Sequence, residues 1–201
     1  MSRDPIFLET LRLPAILDPL KSLLGPNIDV ALYRHNHSTL NLGGDIPFRF
    51  HRDILQWSRT IITALIYLED STIENGCTYI VPSTHYLPFA GMPPDGGGGN
   101  WADDHSEYQF VMEQAIPVPI RRGGVLFINS LMFHSIGINT TSESRISSTF
   151  AFHSVDELAG ETSDTKRLLL TGERIYMGSD KKHISGLLAK GEDDSTKDSK
   201  D

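Results

Sequence analysis

A second cysteine is missing from this chain: Cys77 stands alone among 201 residues. No internal disulfide can form, which excludes a disulfide-stapled secreted scaffold and suits a reducing compartment. An excess of positive charge is missing too, with 18 Lys and Arg against 26 Asp and Glu, a formal net charge of -8 and a pI near 5.4. Nucleic-acid backbones and anionic membrane surfaces are polyanions, so neither is expected as a partner. No apolar run approaches the roughly 20 residues that cross a bilayer. The opening MSRDPIFLETLRLPAILDPL mixes acids and prolines where an export signal has a basic start and an unbroken apolar stretch. The final SKD is no peroxisomal address. These absences predict a cytoplasmic protein.

What is present is an ordinary globular composition, 39% hydrophobic and 22% charged, in a length that suits one domain with one core. The expected division is a single domain over 1–190 and a disordered acidic and polar tail over 191–201, GEDDSTKDSKD, which has almost nothing to bury. From Pro5 to Leu24 apolar residues recur at three- and four-residue spacing, predicting one or two short helices broken near Pro14. Short runs rich in branched and aromatic residues follow: IDVALYRHN, IPFRFHRD, TIITALIYL, CTYIVPSTH, AIPVPI, GGVLFINS, FHSIGINTT and RISSTFAFHSV. Seven or eight strands with no helical crossovers between them predict an antiparallel, mainly β protein, a jelly roll or sandwich with short N-terminal helices. The stretch PPDGGGGNWADDHS, within an insertion between Leu87 and Tyr108, reads as a mobile loop.

In FRFHRD, His51 and Asp53 are two apart on an expected strand, so both project to one side, about 7 Å apart at their Cα atoms. His134 in LMFHSIG lies on a later expected strand that can deliver a third group. Two imidazoles and a carboxylate on one face of an iron ion leave three positions open, enough for a bidentate 2-oxo acid and oxygen. An isolated H-x-D is by itself better read as a satisfied strand histidine and a turn-capping aspartate. Arg145 changes the balance. It lies eleven residues after His134 in a strand whose neighbours alternate toward a core, and an arginine inside a barrel is costly unless a carboxylate meets its planar fork. The distal carboxylate of 2-oxoglutarate suits it. Ser147, two residues on, points the same way and can add a hydroxyl hydrogen bond. An exposed strand arginine paired with an acidic side chain is the alternative.

These residues resemble the phytanoyl-CoA dioxygenase family of non-haem iron oxygenases. The resemblance rests on HRD at 51–53, ENGCTYIVPSTH at 74–85, GGVLFINSLMFHS at 123–135 and Arg145, in that order, across Ile46 to Val155. It implies a double-stranded β-helix, a jelly roll related to the cupins, with Fe(II) in its mouth held by His51, Asp53 and His134. It implies 2-oxoglutarate as co-substrate on Arg145, O2 as oxidant, release of succinate and CO2, and hydroxylation of a small-molecule C–H bond. Asp53 stands where halogenating relatives have a small residue, so halogenation is disfavoured. Arg52, between the two ligands, departs from the neutral residue often found there and is expected as the outward, surface alternate.

Other positions have weaker claims. Asn41, Tyr33 and Thr63 could reach the co-substrate's 1-carboxylate, although a solvated face explains them equally well. Trp57 and Trp101 could line a substrate pocket, Trp57 being as often core, and the Gly91–Asp104 loop could close as a lid. His85 is expected to brace its loop by hydrogen bonding, and His35, His37 and His153 to be surface or core residues. Two rival functions follow: a catalytically inactive jelly-roll protein that binds a small molecule, and a zinc hydrolase, since two histidines and an aspartate also suit zinc. The latter leaves Arg145 without a partner. Monomer and homodimer are both open.

Overall fold

A computed structural model describes residues 4–32, 35–44, 49–53, 61–87, 106–156 and 166–174. Two helices open it, α1 (Pro5–Leu11) and α2 (Pro14–Leu24). Asp4 caps α1 by accepting from the Ile6 N–H at 3.0 Å, and each helix has a proline in its first turn, where the missing N–H is not needed. Leu11, Ile16 and Leu20 turn inward. The break at Pro14 falls where the sequence predicts it.

The strands are β1 (Ile28–Ala31), β2 (His37–Asn41), β3 (Ile61–Tyr67), β4 (Thr78–Ile80), β5 (Ile116–Val118), β6 (Val125–Asn129), β7 (His134–Ile136), β8 (Arg145–Ser154) and β9 (Arg167–Thr171), with α3 (Ser106–Met112) preceding β5. They form two antiparallel sheets, the larger in the order β6-β3-β8-β1-β9 with β2 also on β8, and the smaller in the order β5-β4-β7. This is the predicted jelly roll. Strand β8 is long enough to pair with β3 along one flank and with β2 and β1 in succession along the other.

Alternation along β8 divides two environments. Phe150 and Phe152 face outward and pack with Ile62, Ala64, Val30 and the helix residues Leu11, Ile16 and Leu20. Each such large side chain contributes about 1.5–3 kcal/mol by leaving water. The other face presents Arg145, Ser147, Thr149, Ala151 and His153, all buried, opposite the inward residues of β3 in register: Tyr67↔Ser147, Leu65↔Thr149, Thr63↔Ala151 and Ile61↔His153.

Three elements differ from expectation. FRFHRD forms no regular strand among its described residues; His51 makes an isolated bridge with His134, their N–H groups exchanged with each other's carbonyls at 3.0 Å. β2 and β9 are strands that the hydrophobic patterning does not reveal, and α3 occupies part of the insertion before Tyr108 and beyond. The Gly91–Asp104 loop and the 191–201 tail lie outside the described residues.

Candidate metal centre

His51 and Asp53 come from the irregular segment that the bridge to His134 ties down, and the Asp53 N–H donates to the Ser130 carbonyl at 2.9 Å. His134 begins β7. One donor atom from each of His51, Asp53 and His134 lies within 4.8 Å of the others. The His134 and His51 Nε2 atoms are 3.4 and 3.9 Å from Asp53 Oδ1. Donors about 2.1 Å from one divalent ion in neighbouring positions stand roughly 3 Å apart, so a small contraction around an ion completes the set.

Hydrogen bonds also choose the tautomers. His134 Nδ1 lies 2.9 Å from the Met132 carbonyl and His51 Nδ1 lies 3.4 Å from the Arg49 carbonyl. A carbonyl can only accept, so each Nδ1 carries a proton, and Nε2 is the nitrogen that turns to a metal once any proton it holds has left. On the carboxylate, Oδ2 accepts from the Thr63 hydroxyl at 2.6 Å, and Thr63 is bonded in turn to the buried Ser130 hydroxyl at 2.9 Å.

The ionisation balance follows from this crowding. Burial alone would raise the Asp53 carboxyl, but hydrogen bonds from His134 and His35, with their charges, hold it well below the usual carboxylate range. Burial would lower His134, and the hydrogen bond and charge of Asp53 outweigh it, so His134 is raised. His51 is lowered to about 4, first by burial and then by His134.

A cavity of about 130 Å³ opens on these groups, walled by His35, His37, Thr39, Leu65, Thr78 and Thr149 beside the triad. Larger, open depressions of about 650 and 530 Å³, around Glu69 and Thr141 and around Leu42 and Ile138, share none of the triad.

Arg145 is buried on the inward face of β8, 1% exposed, with neither Nε nor Nη1 hydrogen-bonded. Its guanidinium carbon sits 5.6 Å from the centre of the Tyr67 ring. Arg145 is not itself on the cavity wall. Tyr67 links the two, since its hydroxyl is 2.7 Å from Oγ1 of Thr78, a wall residue. Asn41 pairs with Arg145 in register and is also buried, its Oδ1 unpartnered. Burial pushes the Arg145 guanidinium below its ordinary value, opposed by the charges of Tyr67, Cys77 and Glu69.

The family model for phytanoyl-CoA dioxygenase matches residues 2–147. The chain belongs to the phytanoyl-CoA dioxygenase family. It is 26% identical over 160 residues to phytanoyl-CoA dioxygenase domain-containing protein 1 of Rattus norvegicus, an alignment covering 74% of this chain and 53% of the relative. The chain thus spans about half the length of that relative. Among solved structures, the epimerase SnoN in complex with Fe3+, alpha ketoglutarate and nogalamycin RO superposes with a TM-score of 0.64 at 22% identity, covering 86% of this chain and 73% of that one. The apo form of the non-heme monooxygenase ThoJ gives 0.61 at 22% identity, with 81% and 60% covered. At those identities the likeness is one of fold.

Within this member of the phytanoyl-CoA dioxygenase family, the residues singled out from sequence fall into three groups. His51, Asp53 and His134 converge, with Thr63 bonded to Asp53 and lining the cavity. Arg145, Ser147 and Asn41 are buried together where β8 meets the end of β2. Tyr33, Trp57 and Trp101 lie outside the described residues.

Arg52 corrects an expectation: it is not a surface residue but 2% exposed. Its Nη2 donates to the Thr84 and Leu87 carbonyls at 2.7 and 3.2 Å, and its guanidinium lies 4.4 Å over the Phe133 ring. It thereby ties the His51–Asp53 segment to the chain after β4. The His85 ring lies tilted by 40° against Tyr86 with ring centres 3.9 Å apart, and its Nδ1 has no hydrogen-bond partner. His35 is the residue that sequence reasoning missed. Its Nε2 is 3.2 Å from Asp53 Oδ1, and no spacing rule links it to H-x-D because the chain turns between them.

Proposed function

We propose that this chain is a non-haem, Fe(II)- and 2-oxoglutarate-dependent dioxygenase that hydroxylates a C–H bond of a small molecule and releases succinate and CO2. The observation that carries this reading is the pairing of a preorganised His51–Asp53–His134 donor set with an unpartnered guanidinium sealed inside the same barrel. A buried, unpaired arginine is destabilising unless a ligand meets it, and a zinc hydrolase gives it nothing to hold. Membership of the dioxygenase family supports the same reading.

In this reading His51, Asp53 and His134 hold the iron through two Nε2 atoms and one carboxylate. Arg145 takes the distal carboxylate of 2-oxoglutarate on its guanidinium, with Asn41 and Ser147 beside it. When bound, iron and 2-oxoglutarate supply the oxidative decarboxylation and the oxidising power for the C–H bond. Leu65 and Ile136 on the cavity wall restrict water around the reacting atoms. The whole of 1–190 is taken as one domain.

The test is to supply purified protein with iron(II) and 2-oxoglutarate without oxygen, admit oxygen, and measure succinate. Iron- and oxygen-dependent succinate that disappears in His134→Ala and falls in Arg145→Ala is the expected result. Folded protein that yields none across a panel of substrates favours the non-catalytic binding module.

A further inference from the structure

We propose that His35 is a positioning residue which, together with Thr63, holds the Asp53 carboxylate to a single metal-binding oxygen; this rests on the metal reading of the triad. His35 Nε2 lies 3.2 Å from Asp53 Oδ1, closer than the Nε2 of His51 or His134. Yet His35 is outside the compact group of donor atoms that can share one ion. It therefore approaches the carboxylate as a hydrogen-bond donor and not as a fourth ligand.

The argument turns on lone pairs. A carboxylate offers about four acceptor directions, two on each oxygen. The Thr63 hydroxyl occupies Oδ2 at 2.6 Å and is itself fixed by the buried Ser130. His35 takes one direction on Oδ1 and leaves the other toward His51 and His134. With both oxygens held, the carboxylate cannot rotate to chelate the metal through two atoms. Two-oxygen binding would fill a position that 2-oxoglutarate or oxygen needs.

The backbone around His35 fits a built feature. His35 sits at φ 51, the left-handed region that a non-glycine residue rarely adopts. The Asn36 side chain, next in the chain, donates to the Ala31 carbonyl at 2.8 Å and so ties His35's neighbour to the end of β1. His35 then leads directly into β2, whose His37 and Thr39 line the same cavity.

The experiment uses Co(II) as the probe, binding it to the metal-free full chain in competition with a chromophoric chelator and recording its visible spectrum. His35→Ala is expected to bind about tenfold or more weakly, the range found when a hydrogen-bond partner of a ligand is removed, and to show a changed band intensity. His35→Gln, whose amide N–H reaches as far as Nε2, is expected to restore both, whereas the shorter His35→Asn is not. Thermal unfolding in chelator establishes that each variant folds. If His35→Ala does not fold, the Gln and Asn variants carry the comparison, and identical affinity and spectrum in those two overturn the inference. Parent-like Co(II) affinity and spectrum in folded His35→Ala also overturn it while leaving the metal reading intact. Failure of the parent itself to bind more tightly than His134→Ala overturns the metal reading, and this inference with it.

Discussion

Arg145 and His134 show how little freedom single residues have here. Nε and Nη1 of Arg145 are without partners, so a carboxylate meeting the planar guanidinium gives a buried cation its counter-charge and hydrogen bonds. Lysine keeps the charge but not the fork. Arg145→Lys should therefore raise KM for 2-oxoglutarate by about 10–100-fold, the equivalent of one lost charged hydrogen bond of roughly 1.5–3 kcal/mol, with a smaller fall in kcat; initial rates of succinate formation against 2-oxoglutarate concentration test this. The raised His134 sets a pH dependence. Its folded-state protonated form persists to higher pH than usual, and that proton must leave before Nε2 can bind a metal. His51, lowered to about 4, is already neutral near pH 7 and releases none. Metal uptake should then release the His134 proton wherever that proton is still bound, so affinity falls as the pH is lowered. Calorimetry in buffers of different ionisation enthalpy measures the proton directly. Both histidines of the donor cluster were legible in the sequence through H-x-D and a later strand histidine. His35 was not, because its contact depends on a turn conformation at positive φ that no periodicity signals.

At the level of elements, the strands that the sequence concealed are concealed for physical reasons. β2 sets His37 and Thr39 on the cavity wall, buries Asn41 and leaves Leu40 51% exposed, the reverse of the usual alternation, because its inner face borders the cavity and not an apolar core. β9 is a brief RLLLT held only by β1 among the described residues, after a long polar stretch. α3 is seven residues long, too short to be stable on its own; burial of Tyr108 and Val111 against Phe50, Val81 and Phe133 holds it. The strands that fill the core, β3, β6 and β8, were plain from their branched and aromatic runs. One glycine has a decisive place between elements. Gly76, in the ENG motif, sits at φ 78, and a Cβ there would run into the Gly137 carbonyl oxygen beyond β7. Neither strain nor clash can be relieved by a side-chain rotation. Gly76→Ala should cost about 2 kcal/mol or more, read as a lower urea midpoint at unchanged m-value.

For the whole molecule, a metal held as proposed is a ligand of the folded state alone. His51 and His134 are 83 positions apart and meet only through the bridge between them, so an unfolded chain has no preformed site. At a hundredfold excess over its dissociation constant, a divalent ion should add about 2.7 kcal/mol to stability. That corresponds to a rise of several degrees in Tm over the protein in chelator, absent in His134→Ala; a thermal scan with and without metal decides it. The large sheet gives the molecule a further property. Arg145, Ser147 and Thr149 face inward only because Ile146, Ser148, Phe150 and Phe152 face outward on the same strand. A slip of β8 by one residue would drive Arg145 into the apolar layer beneath the helices and turn both phenylalanines into the polar chamber. One register of β8 therefore builds the apolar layer and the chamber together, and a variant that loses the first by slippage loses the second with it.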